Sequence, residues 1–283
     1  MAKGSKFKRL VLEVPRYATS SHGMRFGTEL ARLLELDLLG LFVKQKRILE
    51  LAALPFIREF RPLDGGWRQL DFDQLSRDLE IAARNAERAF TQVARTLSTA
   101  CQFEVVQGST IDTIAAVLRP GDIILLVEEP ASSAAAASPQ LVAMLDAAFH
   151  SSAAVLLVPI RIARQAGTIV AIATEPDDSS IEIATAIAGA AKEDLIVIET
   201  FVSRDENAPY QARLPAGIRV KRVSATQSQP VDPLLVASAL RHVKERLLVM
   251  TRGDDAVASM IAAIRHVPIL IVDRQRSDKA AAA

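Results

Sequence analysis

The chain has a single cysteine, Cys101, which excludes an intrachain disulfide framework and any zinc site built on several thiolates. A reducing compartment fits best. Neither charge is in excess: 34 Lys plus Arg stand against 33 Asp plus Glu, a net charge of +1. A nucleic-acid binder usually carries a clear basic surplus to meet phosphates, so no nucleic-acid partner is expected. The sequence holds no Gly-x-Ser-x-Gly elbow and no Walker sequence. Its opening, MAKGSKFKR, has no apolar stretch, so no secretory signal is expected. One long run, Ala131 to Ile160, has Asp146 as its sole formal charge. Pro139, His150 and several serines interrupt it, and alanine is too weakly apolar to drive insertion. It divides better into a Ser/Ala loop, a helix (Pro139 to Phe149) and a strand (Ala154 to Val158). No membrane span is expected.

What is present suffices for a full globular core, since 50% of the residues are hydrophobic and 24% charged. At about 150 residues per domain, the length suggests two. The chain also repeats itself. RLVLEVPRYATSSHGMRFGTELARLLELDLLGLFV, from Arg9, lies over TIVAIATEPDDSSIEIATAIAGAAKEDLIVIETFV, from Thr168, without a gap. Leu10 meets Ile169, Ser20-Ser21 meet Ser179-Ser180, and Phe42-Val43 meet Phe201-Val202. DTIAAVLRPGDIILLV from Asp112 matches DPLLVASALRHVKERLLV from Asp232, and AMLDAAFHSSAAVLLV from Ala143 matches SMIAAIRHVPILIV from Ser259. The same order three times running points to a duplicated domain.

Each copy reads as alternating strands and helices. Arg9 to Val14 is a short run of Leu and Val, long enough for a strand and too short for a helix. Thr19, Ser20 or Ser21 is placed to cap the next helix, whose Phe26, Leu30, Leu33 and Leu34 recur at helical spacing. Strands are expected at Leu38 to Val43, Phe103 to Val106 and Ile123 to Val127, and a helix at Ile111 to Leu118. From about Asp73, Leu75, Leu79, Ala82, Ala86, Phe90, Val93 and Leu97 form one apolar stripe of a long helix. The expected fold class is α/β: two tandem domains, each a parallel sheet flanked by helices. They cover 6–160, with an insertion at 44–70, and 166–274, followed by a tail at 275–283. In such sheets ligands bind beyond the carboxyl ends of the strands where strand order reverses. That directs attention to Pro15, Arg16, Tyr17, Glu128, Glu129 and Pro130 in the first copy. In the second it directs attention to Thr174, Glu175, Pro176, Thr251, Arg252, Gly253, Asp254 and Asp255.

Three local patterns resemble the universal stress protein family: the strand-helix-strand opening, VVQGS (Val105 to Ser109), and the closing HVPILIV. The resemblance implies an adenine nucleotide alpha hydrolase-like fold. It also implies pairing of the last strands, Val155 to Val158 with Ile269 to Val272, into an intramolecular pseudo-dimer. In the family's ATP-binding members an Asp follows strand one, and a Gly-x-x-Gly, nine-residue, Gly-Ser/Thr loop follows strand four. The Asp contacts adenine, and the glycines let backbone N–H groups approach the phosphates. This sequence departs from that pattern in both copies. Pro15-Arg16 and Thr174-Glu175 stand where the Asp would be. After strand four come EEPASSAAAASPQ, without glycine, and MTRGDDAVASM, which keeps Arg252-Gly253 and loses the later glycines. Glu128-Glu129 and Asp254-Asp255 would face the triphosphate, each repulsive by ~1 kcal/mol.

Other polar groups have plainer readings. His22, His150, His242 and His266 lack a second ligand at metal spacing, so no metal site is expected, and His150 and His266 fall at helix ends, where an imidazole serves the last carbonyls. The excursion Leu49 to Leu70 is the distinctive segment. It holds the only tryptophan, Trp67, with Leu54, Phe56, Ile57 and Phe60 among Arg58, Arg61 and Arg68. Phe56, Phe60 and Trp67 are the candidate lid or partner surface, against the plain alternative of a loop-helix segment packing on its own sheet.

The expected function is that of a cytoplasmic universal-stress-type regulatory protein without a catalytic site, acting through a protein partner or small ligand, as an intramolecular pseudo-dimer or a homodimer of such chains. The alternative is an adenine-nucleotide sensor that binds ATP or AMP mainly in the second domain. Arg252 and Gly253 would then meet phosphate, and the backbone around Val202 the base. The candidate pocket in either case comprises Arg16, Tyr17, Val43, Glu128, Glu129, Thr174, Glu175, Val202, Thr251, Arg252 and Gly253. No other cofactor is expected.

Overall fold

Runs of Leu, Ile and Val become strands, and segments with apolar residues three or four apart become helices. A computed structural model describes residues 7–14, 21–61, 65–95, 97, 100–128, 139–201, 218–222, 232–253 and 255–273. The first half contains β1 (Arg9–Glu13), α1 (Ser21–Leu33), β2 (Asp37–Gln45), α2 (Lys46–Ala52), β3 (Arg58–Arg61), β4 (Gly66–Gln69), α3 (Phe72–Ala94), β5 (Cys101–Gly108), α4 (Thr110–Val117), β6 (Asp122–Glu128), α5 (Pro139–His150) and β7 (Ala154–Pro159). The second contains β8 (Thr168–Ala173), α6 (Ser179–Ala191), β9 (Leu195–Glu199), β10 (Arg219–Arg222), α7 (Pro233–Ala239), β11 (Glu245–Thr251), α8 (Asp255–Arg265) and β12 (Ile269–Val272). The tail beyond residue 273 lies outside the described residues.

One ten-stranded sheet runs through both halves in the order β10-β9-β8-β11-β12-β7-β6-β1-β2-β5. All its pairings are parallel except that of β12 with β7, which is antiparallel with Ile269 opposite Leu157 and Ile271 opposite Val155. The last strands therefore meet as the resemblance implies. Helices α1, α3 and α6 cover one face through Phe26, Leu30, Phe90, Ile183 and Ile187. Helices α4, α5, α7 and α8 cover the other through Ile114, Leu145, Phe149, Val236 and Ile261. With helices on both faces, β7, β9 and β12 are buried at every residue, which is why they carry no alternating polar positions.

Local chemistry sets the element ends. Asp71 caps α3, its carboxylate accepting from Asp73 N at 2.9 Å and Gln74 N at 3.1 Å. His150 closes α5 with its ring on Asp146 O at 2.7 Å. His266 takes φ +53° after α8, its N–H donating to Ala262 O, and its own carbonyl receives Ala163 N–H at 2.8 Å. His150 thus serves its helix end through the imidazole, as expected, whereas the bonds of His266 are made by its backbone. Gly167 is dictated by crowding: at φ +147° an added Cβ would lie 2.1 Å from Lys244 O.

Two expectations need correction. Ser179 and Ser180, the repeat counterparts of the cap candidates Ser20 and Ser21, do not cap α6; Asp178 does, and the two serine hydroxyls donate to Asp273 O and Ile172 O. A carboxylate one residue earlier competes better for the free N–H groups. The caps expected from Thr19 or Ser20 lie outside the described residues. The excursion is not a loop-helix segment alone: after α2 it forms an antiparallel hairpin, Arg58 opposite Gln69 and Phe60 opposite Trp67. Each strand is four residues long, too short for periodicity to show.

Candidate functional site

Strand order reverses between β1 and β6 in the first half and between β8 and β11 in the second. The crevices to inspect lie at their carboxyl ends. In the first half only part is described. Val43 is buried in the core beneath α4 and α5, so its side chain serves packing. Glu128 ends β6, in register with Pro159. Arg16, Tyr17 and Glu129 lie outside the described residues.

At the second crevice stands a member of the acidic pair Asp177-Asp178, which in sequence resembles a carboxylate pair for acid-base or Mg²⁺ work and reads more plainly as a solvated turn. Asp178, 3% exposed, stands at the N-terminus of α6 between the ends of β8 and β11. Its Oδ2 accepts Thr174 N–H at 2.8 Å and the Thr174 hydroxyl at 3.0 Å. Its Oδ1 accepts Ser180 N–H at 2.9 Å and the hydroxyl of Thr251. A carboxylate offers about four acceptor sites, and here all are taken. The group cross-links a loop, a helix and a strand, and Thr174 and Thr251 face inward to it. Glu175 remains exposed above them. The sequence signal was Asp-Ser-Ser a short turn after a strand, a helix start whose carboxylate reads equally well as a solvated turn.

Arg252 and Gly253 follow Thr251. The Arg252 N–H donates to Val272 O at 2.8 Å, and its guanidinium lies 4.4 Å from the ring centroid of Phe149. Phe149 belongs to α5, so the cation reaches across the seam between halves. That contact is worth about 0.5–2 kcal/mol. A phosphate drawing Arg252 away would have to offset it. Gly253 is exposed and uncrowded, the nearest atom to an added Cβ being Thr251 O at 3.9 Å. Val202 and Asp254 lie outside the described residues.

Elsewhere, the described residues hold no group of three or more His, Cys, Asp or Glu able to bind a metal ion. A cleft of about 370 Å³ opens at the opposite, amino ends of β1, β2, β5 and β6, among Lys8, Arg9, Asp37, Arg119 and Asp122. Arg9 and Asp122 neutralise each other there at 2.6 Å. Phe60 and Trp67 belong to the β3–β4 hairpin that follows α2, and α2 starts at the carboxyl end of β2. Helix α2 leads to them and packs on α3 and β5, on the outer side of β2.

A universal stress protein from Archaeoglobus fulgidus superposes on 95% of this chain and 97% of its own, with TM-score 0.68 and 12% identity. The chain has the universal stress protein fold. A functionally unknown protein from Pseudomonas aeruginosa shares that fold over 95% of this chain and 93% of its own, at TM-score 0.53 and 12% identity. No protein-family model and no curated protein matches the sequence. Identities this low reflect what the fold demands, apolar strands and covering helices, while the loops at the strand ends are free to differ. Among the described residues no helix is long and apolar enough to cross a membrane.

Proposed function

We propose that the chain is a member of the universal stress protein family that works without a catalytic site. It is a cytoplasmic regulatory protein of two tandem domains joined as a pseudo-dimer, acting through a protein partner or a small ligand. Family-type ATP binding is lost. The observation that carries this reading is the state of Asp178, whose four acceptor positions are filled from within the chain. A base or ribose would find no free carboxylate there, and Arg252 is engaged on Phe149. The antiparallel pairing of β7 with β12 supports the pseudo-dimer.

The second reading, an ATP- or AMP-binding sensor, draws on Gly253, whose open surroundings leave its backbone approachable. Heat-denaturing the freshly purified protein and chromatographing the supernatant separates the two. The first reading expects no nucleotide released; a stoichiometric adenine nucleotide would establish the second.

A further inference from the structure

The repeat places the same corner of the fold in two copies, and they differ. At the amino end of β11, Glu245 is fully buried. Arg265 Nε lies 2.7 Å from its carboxylate, and Arg164, in the segment joining the halves, lies 3.7 Å from it. Arg265 Nη2 also donates to Leu240 O at 3.0 Å. Gly167 stands where the first copy has Lys8, and it leaves no room for a side chain, because an added Cβ would meet Lys244 O. That corner is sealed. At the amino end of β6, Asp122 takes the place of Glu245, with Arg9 at 2.6 Å and the Arg9 Nη2 donating to Val117 O at 3.0 Å. Here the ion pair lines an open cleft of about 370 Å³.

We propose that this cleft binds a small phosphorylated polyol. Arg9 and Asp122 neutralise each other, and two further cations line the cleft. Among the described residues, neither the Lys8 ammonium nor the Arg119 guanidinium has a carboxylate partner. Both stand on fixed backbone. Lys8 N–H donates to Gly121 O at 2.9 Å, and Lys8 O accepts Asp37 N–H at 3.0 Å. Arg119 N–H donates to the buried Asp122 carboxylate at 2.9 Å. A phosphate monoester carries close to two negative charges at neutral pH, which the two cations match, and the held backbone lowers the ordering cost of binding. Asp37 uses one oxygen on Ala100 N–H at 3.3 Å, which leaves the other, with the exposed Gln102 amide, for hydroxyls. A dicarboxylate would instead set a second anion beside Asp37. No aromatic ring lines the cleft for a base to stack on, so a nucleotide is not the expected occupant. The volume suits a small ligand. The inference is independent of whether either crevice binds nucleotide, since the cleft lies at the other end of the strands.

Glycerol 3-phosphate, inorganic phosphate, glycerol and succinate are titrated into the full chain, followed by calorimetry and by backbone amide shifts. Glycerol 3-phosphate should fill one site per chain, move the amides of Gln102 and Gly121, and bind about tenfold more tightly than inorganic phosphate. Glycerol alone should be inert. Lys8→Ala and Arg119→Ala should each weaken binding about tenfold. Both side chains are exposed, so circular dichroism should not change. Arg241→Ala, at the amino end of β11, and Arg252→Ala, at the second crevice, should leave the affinity as it was. No binding up to tens of millimolar overturns the proposal, as does binding that both cation variants leave intact. Equal affinity for inorganic phosphate would reduce the cleft to a simple anion site, and tighter binding of succinate would assign it to dicarboxylates. Loss of binding on Arg252→Ala would move the phosphate to the crevice; each of these three results contradicts the proposal.

Discussion

Arg246 Nη2 lies 3.1 Å from Glu29 Oε1, joining a strand of the second half to α1 of the first. A register shift in β11 between Glu245 and Leu247 leaves Arg246 out of the ladder with β8. The residue turns toward Phe26, 5.6 Å beneath its guanidinium, and toward Glu193, 3.0 Å from Nη1. Its side chain is 6% exposed and that of Glu29 38%. Arg246→Ala should therefore cost about 1–3 kcal/mol by leaving part-buried Glu193 with the Gly167 N–H in place of a cation. Glu29→Ala should cost no more than about 1 kcal/mol. Urea unfolding of both variants measures the contrast, and equal costs would mean that Arg246 acts mainly through Glu29.

Asp178 offers a second contrast. Asp178→Ala removes the acceptor of four hydrogen bonds and a helix cap, and should cost about 2–4 kcal/mol. Thr251→Val removes one donor and should cost about 1 kcal/mol. If Asp178→Ala left thermal stability unchanged, the carboxylate would have to be a free ligand group.

Cys101 is exposed, yet partial desolvation, then the nearby Asp37 carboxylate, raise its thiol pKa above the ordinary value. Its thiolate is therefore scarcer at neutral pH than that of a free cysteine. Alkylation by iodoacetamide at pH 7 should be slower than for a cysteine peptide, and Asp37→Asn should speed it. A rate above the peptide's would contradict this environment.

The exposed Glu80 carboxylate pairs with Lys44, which lowers its pKa chiefly through the hydrogen bond and then through charge. A depressed carboxylate stabilises the fold above its unfolded pKa, and that contribution disappears as pH falls through the folded value. The pair ties the end of β2 to α3. Glu80→Gln should lower the urea midpoint slightly at pH 7, not at all near pH 2, and less in high salt. An equal effect at both pH values would mean that the charge is irrelevant.

The core was legible because burial on both faces writes a strand as an unbroken apolar run. Val155 to Val158 and Ile269 to Val272 announced themselves, whereas the partnership between them came from the resemblance to universal stress proteins. Single polar residues with unusual burial were not legible. Glu245, at the start of β11, reads as an ordinary charge at a strand end. It is fully buried, with Arg265 Nε at 2.7 Å. Asp178 read as a solvated turn because periodicity records which residues are apolar, not which carboxylate a fold closes around. The β3–β4 hairpin was missed for a related reason: only Phe60 and Trp67 carry its apolar signal, and both point away from the body.

The central claim, that the second crevice is closed to family-type nucleotide binding, is met most directly by titration calorimetry. ATP, ADP and AMP are added to the untagged chain with and without Mg²⁺. Flat heats up to millimolar nucleotide are expected. Micromolar binding that weakens on Arg252→Ala would contradict it, showing that the guanidinium leaves Phe149 for phosphate and that the crevice opens around Asp178.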